Sequence, residues 1–211
     1  MKFEEFKYQL GKLSTVPLKG KISHNKIMDI KVRANIFKEA NHKVAPKNSA
    51  VLCLVYPGKN DLAHIVFILR KSYKGHHAGQ IAFPGGKAEP EDYSAEDTAL
   101  REAKEEVGID PNQVNIIRKL SPLYIPISNY KVQAFLGYTD KYPVFKRQIS
   151  EVEAIIEAPL IDFLRLPPVP IQKKYFDQTY KLHAFQTGNL LIWGATAMIL
   201  SEVVDLIKKT Q

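Results

Sequence analysis

The stretch from residue 80 to residue 109 constrains the fold more than any other part of the chain. It begins as a short apolar segment, breaks at a Phe-Pro-Gly-Gly turn, and passes through an acidic loop. Ser94 with Asp97 three residues later has the form of a capping box, so we expect a helix to begin there. Gly108 gives this helix a natural end after Val107. Its inward face is predicted from residues at four-residue spacing, which are Ala99, Ala103 and Val107.

The opposite face of this predicted helix carries three carboxylates. Glu105 follows Glu102 by three residues and Glu106 follows it by four, so the three side chains project from one side of the helix within about one turn. Oxygen-rich side chains grouped in this way suit a hard divalent cation, Mg²⁺ or Mn²⁺. Arg101 can pair with Glu105 four residues later. Taken alone, such a charged face is more often a solvated surface, so the metal-site hypothesis depends on its surroundings.

The charge and cysteine content narrow the class of protein. Thirty basic and 22 acidic residues give a net charge of +8, which favours anionic partners. Because the sequence has no basic repeat interleaved with aromatic residues and no helix-turn-helix signature, we expect a nucleotide-type small molecule rather than nucleic acid. The single Cys53 excludes a disulfide within one chain. The N-terminus has no signal-peptide pattern and the longest apolar run, Leu190–Leu200, is too short for a bilayer, so we expect a cytoplasmic protein that binds no membrane. A homodimer is left open.

The rest of the chain alternates between predicted strands and helices. We expect one domain over 1–211, with 1–46 as a helical extension packed on it. Strands are predicted at Ala50–Tyr56, His64–Arg70, Gln80–Phe83, Val114–Leu120, Val132–Tyr138, Glu151–Glu157 and Tyr180–Gln186. Further helices are predicted at Phe3–Leu13, Met28–Glu39, Leu160–Leu164 and Leu191–Lys209. Prolines 167, 168 and 170 predict irregular structure. Strands flanking a central helix indicate an α/β fold.

The helix and the glycines before it resemble the Nudix box, written G-x5-E-x7-R-E-U-x-E-E-x-G-U with U aliphatic. The second half, from Arg101 to Ile109, matches position for position. In the first half Asp92 replaces Glu, and eight residues rather than seven separate it from Arg101, so we expect a weaker role for this acid. The resemblance implies the Nudix fold, an α/β/α sandwich around a mixed β-sheet. It also implies a metal site at Glu102, Glu105 and Glu106.

A second motif, just upstream, resembles the signature of coenzyme A diphosphatases, R-[SA]-x3-R-x3-G-x3-F-P-G-G. Arg70, Gly79 and 83–86 fall at the required spacings. Lys71 stands where the signature has a small residue, and Gly75 stands where it has a second Arg. The resemblance to this family therefore covers most of the chain, with two departures in the substrate-specific part.

The signature also suggests which residues bind substrate. Arg70, at a predicted strand end, could hold a phosphate through two parallel hydrogen bonds, although a strand-end surface charge is an equal alternative. Gly85 and Gly86 allow the backbone to approach phosphates closely. Lys74 is the basic neighbour of the position where the second Arg is missing.

The implied reaction is metal-dependent hydrolysis of the diphosphate bond of coenzyme A or its thioesters. The resemblance gives adenosine 3′,5′-bisphosphate and a 4′-phosphopantetheine as products, and Arg101, Glu102, Glu105 and Glu106 as catalytic residues. The general base is one of these glutamates or an acid outside the box. Glu151 is such an acid and could be a further ligand or the base, but the favoured interpretation is that it is an ordinary acid at the edge of a strand. The alternatives are a Nudix hydrolase of ADP-ribose or dinucleoside polyphosphates, and a Nudix module that binds a nucleotide without hydrolysing it.

Overall fold

A computed structural model describes residues 1–71 and 79–211. Four helices precede the first strand: α1 (Phe3–Tyr8), α2 (Leu10–Thr15), α3 (Lys21–Asn25) and α4 (Ile30–Ala40). The sequence predicted a single helix over Phe3–Leu13, but the chain forms two helices, α1 and α2, that are divided at Gln9. The Gln9 N–H donates to the Phe6 carbonyl three residues back (3.0 Å), which is a tighter turn than that of an α-helix. The predicted second helix begins at Ile30 because Asp29 caps it, accepting a hydrogen bond from the Lys31 N–H at 2.7 Å.

The strands and remaining helices follow in chain order. They are β1 (Lys47–Pro57), β2 (Ala63–Arg70), β3 (Ile81–Ala82), β4 (Gly85–Lys87), α5 (Ala95–Val107), β5 (Asn115–Lys119), β6 (Leu123–Ile125), β7 (Tyr130–Tyr138), β8 (Val152–Pro159), α6 (Leu160–Arg165), β9 (Val169–Tyr175), β10 (Gln178–Thr187), β11 (Leu190–Ile192) and α7 (Gly194–Thr210). Each predicted strand has a counterpart, with ends shifted by a few residues. The short strands β4, β6 and β11 were not predicted.

The main sheet is mixed and lies between two helical layers. Its strand order is β3-β2-β1-β7-β5, with β4 beside β1, β6 beside β7 and β8 beside β2. Strands β1 and β7 are parallel, and the other pairs are antiparallel. Leu52 and Leu54 of β1 pack in one buried cluster with α5, whereas Cys53 and Val55 belong to the other cluster with α7. The predicted α/β/α sandwich around a mixed sheet is therefore confirmed.

A separate three-stranded sheet, β11-β10-β9, corrects two predictions near the C-terminus. Pro170 lies within β9, opposite His183 of β10, although the prolines predicted irregular structure. Because β9 is an edge strand, the missing proline N–H removes no bond from the sheet interior. Leu191 belongs to β11, so the last helix begins at Gly194 rather than where it was predicted.

The N-terminal helices contribute to the larger core. Phe6, Leu13 and Ile27 are fully buried in the same cluster as the apolar residues of α7. A buried acid of α7 also binds this segment, since Glu202 accepts a hydrogen bond from the Gly20 N–H (3.1 Å). Among the helices of the described residues, none combines the length and apolarity needed to cross a bilayer.

Candidate active site

Two glycines bring the backbone of β4 against helix α5. Gly85 lies opposite Val51 of β1 at a φ of 152°, and a Cβ there would collide with the Ala50 carbonyl. A Cβ on Gly86 would collide with the carboxylate of Glu102. The Gly-Gly turn therefore leaves room for an acidic side chain of α5 directly beside the strand.

Glu106 is the most deeply placed acid of the site. Its side chain is 3% exposed, and its Oε2 accepts a hydrogen bond from the Gly85 N–H at 2.8 Å. Arg70 Nη1 lies 3.5 Å from its Oε1. Burial raises the pKa of Glu106 from 4.5 to about 7, although Gly85 and Arg70 oppose the rise and the neighbouring Glu102 and Glu151 add to it. A buried carboxylate in such surroundings favours a proton or a cation.

The two other glutamates of the helix differ in their surroundings. The Glu102 side chain is 13% exposed, and burial raises its pKa above the ordinary value. Glu105 is 54% exposed, and its Oε2 lies 3.1 Å from Arg101 Nη1, which is the predicted pairing four residues apart. The negative charge of Glu151 also raises the pKa of both Glu102 and Glu106. Glu102, Glu105, Glu106 and Glu151 thus form one concentration of negative charge, in which Glu106 is the most buried member and Glu105 the most exposed of the three on the helix.

Arg101 is held by several partners at once. Its Nε and Nη2 donate to the two carboxylate oxygens of Asp92 at 2.8 and 3.0 Å. It also donates to Glu102 Oε1 (3.2 Å) and to the Lys87 carbonyl (3.0 Å). The inserted loop residue does not stop Asp92 from reaching Arg101, a contact that the motif spacing did not predict. These contacts make Arg101 a residue that positions Glu102 and Glu105, and its catalytic role stays a prediction.

Replacing Asp92 with Asn should weaken this network. We expect a loss of about 1–3 kcal/mol in the free energy of unfolding, as for a hydrogen bond between charged groups, and a turnover about tenfold lower because Glu102 loses its positioned neighbour. Arg101 holds the pKa of Asp92 well below its ordinary 3.8, so the stability it contributes is present above about pH 4 and is lost as the pH falls further. Urea titrations at pH 3 and pH 7 measure this difference.

The exposed neighbour Glu91 provides the matched control for this prediction. Glu91→Gln should leave both stability and turnover unchanged. Equal stabilities of Asp92→Asn and Glu91→Gln at pH 7 would contradict the assigned contact.

Glu151 faces the same site although it precedes β8. Its carbonyl accepts from the Lys71 N–H (3.0 Å), and the Gln148 N–H donates to the Glu106 carbonyl (3.0 Å). These backbone bonds fix the loop before β8 against the end of α5. Glu151 lines a cavity together with Glu102, and its interpretation as an ordinary strand-edge acid or as a further ligand or base stays a prediction.

A cavity of about 860 Å³ is lined by Glu102 and Glu151 together with residues of several other elements. Its acidic end is lined by Arg70, Gly85, Gly86 and Glu102. Its wall also includes residues that the sequence did not single out as binding residues: Arg33, Ile36, Tyr124, Lys174, Tyr175 and Trp193. They come from the N-terminal helices, from β6 and from elements near the C-terminus, and no local pattern links them. The predicted Lys74 lies outside the described residues.

Comparison with known families agrees with this geometry. The NUDIX domain matches residues 46–173, which is more than half of the chain. The chain belongs to the NUDIX domain family. This family assignment includes β1 to β8, α5 and α6, whereas α1 to α4 and α7 lie outside the matched range.

Two relatives and two solved structures illustrate the similarity. "Nudix hydrolase 15, mitochondrial" of Arabidopsis thaliana is 33% identical over 162 residues, which cover 74% of this chain and 56% of that protein. "Uncharacterized Nudix hydrolase NudL" of Yersinia pestis is 36% identical over 141 residues, which cover 65% of this chain and 69% of that protein. Two solved structures of MutT/nudix family proteins share the fold. The one from Listeria innocua has a TM-score of 0.52 and 16% identity, and the match covers 79% of this chain and 97% of that chain. The one from Enterococcus faecalis has a TM-score of 0.51 and 16% identity, and the match covers 92% of this chain and 76% of that chain.

Proposed function

We propose that this protein is a metal-dependent hydrolase of the diphosphate bond in nucleoside diphosphate derivatives. The supporting observation is that the buried Glu106 accepts a hydrogen bond from the Gly85 N–H while the half-buried Glu102, four residues earlier on the same helix, lines a cavity large enough for a nucleotide. Family membership and relatives that are named Nudix hydrolases support the same class of reaction. In this proposal residues 1–211 act as one domain, with 1–46 as its helical extension.

The carboxylates fit a divalent cation such as Mg²⁺ or Mn²⁺ by their chemistry. Burial and the negative charges of neighbouring carboxylates raise the pKa of Glu102 and Glu106, and a bound cation would relieve both effects. Within the described ranges no three acidic, His or Cys side chains are already grouped for a metal, and both Glu102 and Glu105 contact Arg101. Glu102 and Glu106 would hold the ion, with Glu105 as the third predicted ligand after it leaves Arg101. The ion would supply charge neutralisation at the diphosphate and an activated water.

The chain's own residues would orient the substrate. Arg70 and the Gly85–Gly86 backbone lie at the acidic end of the cavity, where a diphosphate would bind. A carboxylate that faces the cavity would take the proton from the attacking water, and Glu102 and Glu151 are the two candidates. This division of roles uses both the acids of the helix and the acid outside it.

We further propose coenzyme A or its thioesters as the substrate, with adenosine 3′,5′-bisphosphate and a 4′-phosphopantetheine as products. The resemblance of residues 70–86 to the coenzyme A diphosphatase signature supports this choice. The cavity wall also contains the apolar side chains of Ile36, Tyr175 and Trp193, as an extended substrate requires. Since the Arabidopsis relative is named as mitochondrial, a cytoplasmic location stays a prediction, as does a homodimer.

Comparing three substrates tests this proposal. With Mg²⁺ we expect kcat/KM to be about tenfold or more higher for coenzyme A than for 3′-dephospho-coenzyme A, since a charge-assisted hydrogen bond is worth roughly 1.5–3 kcal/mol. ADP-ribose should be poorer still. Equal efficiency on the first two would contradict a site for the extra phosphate. A preference for ADP-ribose would favour the alternative that Gly75, in place of the signature's second Arg, already suggests.

A further inference from the structure

Arg33 of α4 places a positive charge in the cavity wall, on a different element from the carboxylates. The residue is half-buried and lines the same cavity as Glu102 and Arg70. It lies in α4, outside the matched NUDIX domain at residues 46–173. The charge is therefore added to the cavity by the N-terminal helices rather than by the family domain.

The guanidinium of Arg33 has no acidic partner among the described residues. Burial lowers its pKa, and no neighbouring carboxylate acts in the opposite direction. Asp29, one turn earlier, uses a carboxylate oxygen to cap α4 at the Lys31 N–H. Residues 72–78, the rest of the chain, contain no Asp or Glu. A half-buried cation without a partner costs free energy, and an anionic ligand would offset this cost.

The helix that carries Arg33 is fixed over the cavity by its neighbours. Ile36, three residues later, is buried in the core, and the ring of Phe37 packs edge-to-face on Tyr124 of β6 at 5.8 Å. The hydroxyl of Tyr180 donates to Glu39 at 3.2 Å. Residues three and four apart share a helix face, so Arg33 lies on the face of α4 that contacts the domain.

We propose that Arg33 is a specificity-determining residue that binds a phosphate monoester of the substrate, separate from the diphosphate that is cleaved. The planar guanidinium matches the oxygens of a phosphate with two parallel hydrogen bonds, which an ammonium does not. The substrate class is then a diphosphate that carries an additional phosphate monoester. This inference rests on the proposed function. It assigns to one residue of the N-terminal segment the discrimination between substrates with and without the additional phosphate monoester.

The test compares Arg33→Gln with the wild type on two substrates that differ by one phosphate monoester. We expect kcat/KM for coenzyme A to fall about tenfold or more, and kcat/KM for 3′-dephospho-coenzyme A to change less than about threefold. Lys38→Gln, an exposed cation on the same helix that does not line the cavity, should change neither. Arg33→Lys should recover only part of the loss on coenzyme A. Equal losses on both substrates, or no loss on either, would overturn the assignment.

A binding measurement separates this inference from the proposed hydrolysis. In chelator, calorimetry should give wild-type protein a higher affinity for adenosine 3′,5′-bisphosphate than for AMP, and Arg33→Gln should remove that difference. This result would stand even if the wild type hydrolysed no diphosphate. The melting temperature of Arg33→Gln should equal or exceed that of the wild type, because an uncompensated charge is removed. A clear fall would indicate a structural role and contradict the proposal.

Discussion

Glu106→Gln should reduce turnover by about a thousandfold or more and, in the metal-free protein, increase stability at pH 8. The loss of turnover follows because the variant lacks a charged oxygen ligand for the ion at the acidic end of the cavity. A thousandfold change corresponds to about 4 kcal/mol of transition-state stabilisation, which is within the range of a metal's contribution. Initial rates at saturating Mg²⁺ provide the measurement.

The gain in stability follows from the buried charge. Burial raises the pKa of Glu106 to about 7, so the folded protein binds this proton more tightly than the unfolded chain does. The metal-free wild type therefore loses stability as the pH rises from about 4.5 to about 7, by up to about 3 kcal/mol at 1.36 kcal/mol per pH unit. Glutamine is neutral over this whole pH range, so the free energy of unfolding of the variant should not fall in this way as the pH rises.

The matched control is Glu96→Gln, a change of the same kind on the same helix outside the cavity. It should retain wild-type turnover and the wild-type dependence of stability on pH. Turnover of Glu106→Gln within tenfold of the wild type would contradict the role given to this carboxylate. So would an unchanged pH dependence of its stability without metal.

Removing the metal should abolish activity and lower the melting temperature. With excess chelator we expect hydrolysis to fall at least a thousandfold, and added Mg²⁺ or Mn²⁺ should restore it. An ion present at about a hundred times its dissociation constant adds about 2.7 kcal/mol, which corresponds to a melting temperature higher by roughly 5–10 °C. Differential scanning calorimetry with and without the ion measures this shift.

The effect of the ion should depend on pH, because protons compete for the carboxylate of Glu106. The Mg²⁺-induced rise in melting temperature should be larger at pH 8 than at pH 6, and Glu106→Gln should remove this dependence. Full activity in chelator, or a melting temperature that does not respond to either ion, would contradict a metal at this site.

The sequence predicts local features of this protein well because they depend on nearby residues. Helix α5 begins after Ser94 and ends before Gly108 as predicted, since Ser94 accepts a hydrogen bond from the Asp97 N–H and Gly108 is left-handed. All strands of the main sheet except the short β4 and β6 were predicted, from their apolar runs. The pairing of Arg101 with Glu105 was predicted because both lie on one helix face.

Features that depend on distant contacts could not be predicted in the same way. The contact of Asp92 with Arg101 depends on how the acidic loop folds back, and motif spacing alone suggested a weaker role. The position of Arg33 in the cavity wall depends on how α4 packs against β6, for which its own sequence has no signal. Pro170 lies in a strand because β9 is an edge, a property of the whole sheet.

The central claim is that this cavity hydrolyses a diphosphate with a metal held by Glu102 and Glu106. The most direct test is product analysis by chromatography after incubation with Mg²⁺ and coenzyme A, ADP-ribose or diadenosine polyphosphates. The proposal predicts that coenzyme A gives equal amounts of adenosine 3′,5′-bisphosphate and 4′-phosphopantetheine, and that Glu106→Gln gives almost none. If none of these substrates is cleaved with Mg²⁺ or Mn²⁺ while a nucleotide still binds tightly, the protein is a binding module and the claim is wrong.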